Sequence, residues 1–379
     1  MTDIDIPFNR VSIGARERAY VTEALLSDRL SGDGSFTRRS TEWLERMLGV
    51  PKVLLTTSCT HALELSAILL HVGMGDEVIV PSFAFVSTAN AFLVRGGRPK
   101  FVDIRPDTLN IDETKIEGAI TSRTKAIVLL HYGGVACEMD AVLEVARRYG
   151  IAIVEDNAHG LFASYGGRQL GTFGCLATQS FHETKNVTCG EGGALVINDV
   201  NYIERAEIIR EKGTDRSRFF RGEIDKYTWV DVGSSYLPSE ILAALLLGQL
   251  ETSGQIQEAR QRIWRTYADT LEPWARDNGV HVPVVPERCV APAHLFYLIL
   301  PSPECRSALI ARFRRAGILS VFHYQPLHLS RMGLELGGRP GDCPVTEWAS
   351  ERLLRLPLFA GLTETEQDRV MDEVLRFRC

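Results

Sequence analysis

Five short apolar runs limit what this chain can fold into: "KVLLTTS" (Lys52 to Ser58), "DEVIVPS" (Asp76 to Ser82), "PKFVDI" (Pro99 to Ile104), "KAIVLLH" (Lys125 to His131) and "IAIVED" (Ile151 to Asp156). Each is apolar at consecutive positions rather than alternate ones, so each reads as a strand with both faces buried. Helical patterns lie between them, such as "THALELSAILLHV" (Thr60 to Val72) and "EMDAVLEVARRYG" (Glu138 to Gly150). Buried strands alternating with helices require a mostly parallel sheet covered on both sides, an α/β architecture. Ligands bind such sheets at the carboxyl edge of the strands, where Ser58, His131 and Asp156 stand.

Further along, residues from about Gly233 to Leu271 read as one long helix, followed by a linker, "PWARDNGVHVPVVPE". "HLFYLIL", "SALIARFRRAG" and "LSVFHYQPLH" then indicate a smaller α+β domain. The expected division is residues 1–250 for the large domain, including the N-terminal segment, and 251–379 for the small one.

Bulk properties exclude several partners. A net charge of −6 offers no basic field for a nucleic-acid backbone. The Arg-rich "RSRFFRG" is short, although it could clasp a small phosphorylated ligand. "EILAALLLGQL" is too short to span a bilayer, and "MTDIDIPFNR" has no signal-peptide pattern. Eight cysteines lie scattered without a C-x-x-C pair, which suggests neither a metal site nor a disulfide framework. A reducing cytoplasm is the expected setting.

The seven lysines are unequal. Lys52, Lys100 and Lys125 stand at strand entrances, on the edge opposite the presumed site. Lys115, Lys212 and Lys226 fall in charged segments. Lys185, in "SFHETKNVTCGEGG", follows the strand-like "LATQSF" and precedes a glycine turn. A lysine amine is a useful nucleophile mainly toward carbonyls, and pyridoxal 5'-phosphate (PLP) is its common partner. That cofactor needs a carboxylate for its pyridine nitrogen, hydroxyls and N–H groups for its phosphate, and an apolar surface for its ring. Asp156 supplies the first; "TSCTHALEL" offers hydroxyls at a helix N-terminus for the second, with Ser180 as another; Phe85 could stack on the ring. Each alone has an ordinary explanation: Asp156, Ser58 and Thr60 as helix caps, Phe85 as core. Their joint order is more specific.

With "EDNAHG", "SFHETKN" and "GEGGALVIND", the chain resembles the sugar aminotransferases of the DegT/DnrJ/EryC1/StrS family, from "IPFNR" to "LRLPLF". The resemblance implies the type I PLP-dependent transferase fold and a two-fold homodimer with shared active sites. "SGDGSFTRR", "KVLLTTSCT", "FVSTANAF", "IRPDTLNIDET", "HYGGVACEMD", "ERAEIIREKGT", "FFRGEIDKYTW" and "GSSYL" look most like members that form dTDP-4-amino-4,6-dideoxygalactose from dTDP-4-dehydro-6-deoxyglucose, with L-glutamate as amino donor.

By position, the resemblance implies that Lys185 binds the cofactor and carries the proton. Asp156 would pair with the pyridine nitrogen and His159 with the phenolic oxygen. Ser58, Cys59, Thr60, His61 and Ser180 would surround the phosphate. Cys59 stands where many members have glycine, and Ser235 where many have an asparagine that reaches the phosphate across the dimer. One branch of the family has histidine in place of the lysine and dehydrates its substrate; Lys185 argues for transamination. His131, Tyr132, His323 and His328 could approach the sugar, and Arg218 and Arg221 the nucleotide diphosphate. For each histidine a structural role is the stronger default. Amination at sugar carbon three, a different nucleotide or stereochemistry, or a catalytically silent regulator remain alternatives.

Overall fold

The computed structural model describes residues 4–378. Its central sheet holds β1 (Lys52–Thr56), β2 (Glu77–Pro81), β3 (Arg98–Val102), β4 (Thr124–Leu130) and β5 (Ala152–Asp156). After a hairpin of β6 (Ser164–Tyr165) and β7 (Arg168–Gln169), it is completed by β8 (Leu176–Ser180) and β9 (Gly193–Ile197). The order is β1-β9-β8-β5-β4-β2-β3. The consecutive apolar residues divide between two faces: Val78, Val80 and Val128 pack into one core, while Ile79, Ile127 and Leu129 pack into another. Helices cover both, because neither face can be left in water.

The strand from Gly193 to Ile197 runs antiparallel to both β1 and β8, while the remaining neighbours are parallel. Its pairings set Gly193 opposite Thr56 on one side and Ser180 on the other. The first turn of the Cys59–Leu69 helix therefore lies over the end of β8.

Two expectations need correction. Residues 233–239 are not helical, and the long helix is two, Glu240–Glu251 and Ser253–Asp277, parted at Thr252. The first packs among the N-terminal helices and the second in the C-terminal core, so one straight helix could not serve both. The second also runs through Pro273, the first residue of the expected linker. A proline inside a helix forfeits a hydrogen bond and crowds the preceding turn; burial of Trp274 and Ala275 immediately after it offsets that cost.

The C-terminal core is built on β11 (Tyr297–Ile299) and β12 (Leu353–Arg355), an antiparallel pair flanked by the Pro303–Arg315 and Glu364–Leu375 helices. A separate β10 (Cys289–Val290) joins the hairpin of β6 and β7. The N-terminal segment departs from the large-domain expectation. Ile6 is fully buried in the C-terminal core, bridges to Ile318, and its N–H donates to Gly317 O at 3.0 Å. Among the described residues no helix is long and apolar enough to cross a membrane.

Candidate active site

Ser58 ends the turn after β1 in an extended conformation, and its hydroxyl accepts from the His61 N–H at 3.1 Å. That is an N-cap. The Cys59 and Thr60 N–H groups ahead of it have no acceptor among the described residues. Free N–H groups and the helix dipole make this turn an anion site. Thr60 Oγ1 meets Ser87 Oγ at 2.7 Å, and His61 is held by Thr57, its ring 5.0 Å from that of Tyr236 and tilted to it. Gly193 forms the floor: a Cβ there would lie 2.4 Å from Cys59 N and from Ser58 C. Only glycine lets the helix come this close.

Lys185 sits in a closed arch over the same edge. Phe181 N–H donates to Gly192 O at 2.8 Å, and Cys189 N–H returns to Phe181 O at 3.0 Å. Gly190, at φ +87°, makes the turn that a side chain would strain. Asn186 anchors the arch by donating to Gln257 Oε1 and Pro292 O, at 2.9 and 2.7 Å. Asn9 donates to Glu183 O at 2.9 Å, bracing it from the N-terminal segment. Burial pushes the Lys185 amine down to about 8, against the opposing pull of Cys59 and Asp156.

Asp156 ends β5, buried, and accepts from Thr88 Oγ1 at 2.7 Å and from the Ala158 N–H at 3.2 Å. Burial still raises its pKa, despite those bonds and the nearby Lys185. Among the described residues no cation lies within ion-pair distance of it. Cys59 Sγ, 3.4 Å from Thr178 Oγ1, feels both charges, and burial holds its thiol protonated. The cluster fits PLP on two counts. A buried carboxylate short of a cation suits a pyridinium, and a helix turn with unused N–H groups suits a phosphate.

His159 accepts from the Gly133 N–H through Nδ1 at 3.2 Å, which assigns its proton to Nε2, 3.3 Å from Tyr324 OH. Its ring stacks on His294 with centroids 4.4 Å apart and lies 6.0 Å from that of His323. Burial, reinforced by neighbouring charges, keeps all three imidazoles neutral. Tyr132 OH meets His323 Nδ1 at 3.1 Å. Phe85 is exposed, its ring 6.4 Å from Tyr324. Ser180 is buried at the end of β8.

Several expected residues lie elsewhere. His131 is fully buried: Nδ1 accepts from the Cys137 N–H and Nε2 donates to Glu155, at 3.2 and 3.0 Å. His328 is also sealed, between Ser82 Oγ at 2.6 Å and Glu347 Oε1 at 3.0 Å. With both ring nitrogens occupied, these two hold the fold and leave nothing for a sugar. Arg218 pairs with Glu204 and Glu223, and Arg221 with Glu207 and Glu223, both at the exposed surface. Ser235 does not join Lys185 in this chain. It lines a separate surface cavity of about 300 Å³ with Arg29, Asp33, Lys212 and Arg216. Conversely, Thr88, His294, Tyr324 and Arg355 join the site without any local sequence signal that singled them out.

The amine of Lys185 attacks only when neutral. Its lowered pKa therefore gives an expected pH profile: capture of PLP by the apoprotein accelerates as pH rises and levels off near 8, rather than climbing toward the ordinary 10.5. Stopped-flow absorbance reads this directly, and a rate still rising steeply above pH 9 would contradict the buried setting of the amine.

The model of the DegT/DnrJ/EryC1/StrS aminotransferase family matches residues 11–375. An uncharacterised protein of Methanocaldococcus jannaschii is 32% identical over 376 residues, 97% of this chain and 96% of the relative. Spr1654 of Streptococcus pneumoniae, solved in a PMP form, superposes with a TM-score of 0.91 at 28% identity, over 97% of this chain and 98% of that one. Helicobacter pylori PseC, an aminotransferase involved in the biosynthesis of pseudoaminic acid, gives a TM-score of 0.89 at 26% identity over 99% of both chains.

Proposed function

This chain belongs to the DegT/DnrJ/EryC1/StrS aminotransferase family, and from that premise we propose the substrate and the roles of its site residues. It is a PLP-dependent sugar aminotransferase of the type I fold. We propose that it moves an amino group from L-glutamate to the 4-keto carbon of a nucleotide-linked 6-deoxy sugar, forming a dTDP-4-amino-4,6-dideoxygalactose-type product. The observation that carries the roles is the buried, cation-poor Asp156 beside the depressed Lys185 amine.

Bound PLP supplies an electron-withdrawing pyridinium, which makes a proton removable from the carbon beside a substrate nitrogen. Asp156, oriented by Thr88, holds the pyridine nitrogen protonated. Lys185 would hold the cofactor, and its amine would take and return the substrate proton. The Cys59 and Thr60 N–H groups, with Ser180, hold the phosphate. His159 would donate from Nε2 to the cofactor's ring oxygen, and Phe85 would lie against the ring. The neutral histidines and tyrosines exclude water without adding charge.

We further propose a homodimer whose two chains share sites, with large and small domains dividing near residue 250. An exposed apolar patch supports this, with Trp229 76%, Phe220 63% and Val230 50% accessible, on the segment that leads to Ser235. A second copy covering the patch would bring Ser235 toward the partner's phosphate site.

The test is incubation with PLP, glutamate and a panel of nucleotide-linked 4-keto and 3-keto sugars, with products read by mass and NMR. Amination of the 4-keto sugar supports the proposal; exclusive amination of a 3-keto sugar replaces the substrate and leaves the site roles standing.

A further inference from the structure

The strip from Ala291 to Leu295 joins β10 to β11, and side chains of the Ser253–Asp277 helix grip each of its carbonyls in turn. Gln261 donates to Ala291 O at 2.7 Å, Gln257 to Pro292 O at 3.3 Å, and Trp264 Nε1 to Leu295 O at 3.2 Å. Arg260 takes the two between, Ala293 O at 3.1 Å and His294 O at 2.6 Å. The four donors share one helix face by their spacing. Arg260 is buried, lines the same small cavity as Lys185 and Asn186, and burial alone lowers its pKa. Ala293 is held at φ +51°, a left-handed conformation that a residue with a Cβ adopts only under constraint. A desolvated cation and a strained residue are both costly, and together they fix where the His294 ring points.

That ring reaches two parts of the site at once. Its Nδ1 lies 2.9 Å from Asn186 Oδ1, on the residue next to Lys185. Asn186 already gives its amide hydrogens to Gln257 and Pro292, so Oδ1 accepts and the His294 proton sits on Nδ1. The face of the same ring covers His159, with centroids 4.4 Å apart. Gly133 and Tyr324 hold His159 within its own plane, and the stack is what resists tilting out of it. Pro292 packs on the turn that carries the Gly133 N–H, where Gly134 leaves no room for a Cβ. We propose that His294 is a positioning residue, which keeps the lysine arch and the His159 ring in register with each other. This rests on the roles proposed for Lys185 and His159, and adds the device that aligns them.

Two variants divide the contacts of His294. His294→Phe keeps a ring against His159 and loses the bond to Asn186; His294→Asn keeps an N–H in the place of Nδ1 and loses the ring. Apoprotein is mixed with PLP at fixed pH and capture is followed by stopped-flow absorbance. The pH midpoint of the visible band is then read on the loaded protein without substrate. His294→Phe should slow capture about tenfold, and by more than His294→Asn does, because the arch is loosened. His294→Asn should raise the midpoint by about one pH unit, and by more than His294→Phe does. A tilted His159 donates less well to the cofactor's ring oxygen, and so favours the deprotonated form less. In the unmutated protein, nitrogen NMR of labelled histidines should show His294 as the neutral Nδ1–H tautomer, a readout that needs neither variant to fold. The same rank order in both absorbance readouts, no change in either, or an Nε2–H tautomer overturns the proposal. A visible band that survives Lys185→Ala refutes the site reading itself, a separate outcome.

Discussion

Lys185→Ala should lower turnover with glutamate and the keto sugar by roughly 10⁴-fold or more, because on the proposed mechanism it removes both the amine that holds the cofactor and the group that moves the proton. No other lysine can replace it. Lys185 alone stands in the arch between β8 and β9, where burial brings its amine to about 8. The fold should survive, since the arch closes through backbone bonds from Phe181 and Cys189 and through the Asn186 side chain. Circular dichroism and melting temperature should therefore stay near wild type while the visible absorbance of the loaded protein disappears. Turnover within tenfold of wild type would remove Lys185 from the chemistry.

The second large effect is expected at Asp156. Asp156→Asn keeps the size of the side chain and can still accept from Thr88, but it no longer balances a positive pyridine nitrogen. Opposite unit charges about 4 Å apart at an effective dielectric of about 20 attract by about 4 kcal/mol. Losing most of that where charge develops corresponds to roughly 10³-fold in rate. Equilibrium dialysis should show PLP still bound, held by the helix turn at Cys59 and Thr60. Thr88→Val should act in the same direction with a smaller loss, because it removes one hydrogen bond to Asp156 and leaves the charge. Near-normal kcat in Asp156→Asn would disprove the assigned role.

The parallel strands were legible because a strand buried on both faces writes a continuous apolar run, and their positions placed Asp156 at an edge. The direction of β9 was not. "GALVI" is buried on both faces like its neighbours, and burial pattern carries no sign for chain direction. The histidines show a second limit. His323 and His328 stand five residues apart in "VFHYQPLH", yet one meets Tyr132 and the other is fixed between Ser82 and Glu347. The Leu327–Leu329 turn decides this, and only the partner just after β2, Ser82, reveals it. Arg355, His294 and Thr88 were illegible for a similar reason. Each becomes informative through what it lacks or touches across distant segments, and that is a property of packing.

The burial of Ile6 beside Ile318 has a consequence for how the protein is made. Ile6 leaves the ribosome well before its neighbours Gly317 and Leu319, which emerge about 310 residues later, at 5–20 residues per second about 15–60 s. The sheet of β1 to β9 can assemble during that interval, whereas the C-terminal core cannot close until Val374 and Phe377 are out. Asn9, which braces the lysine arch, lies three residues from that late contact. The lysine arch thus gains this support only after Gly317 and Leu319 have emerged, and until then a nascent chain holds Ile6 open to chaperones.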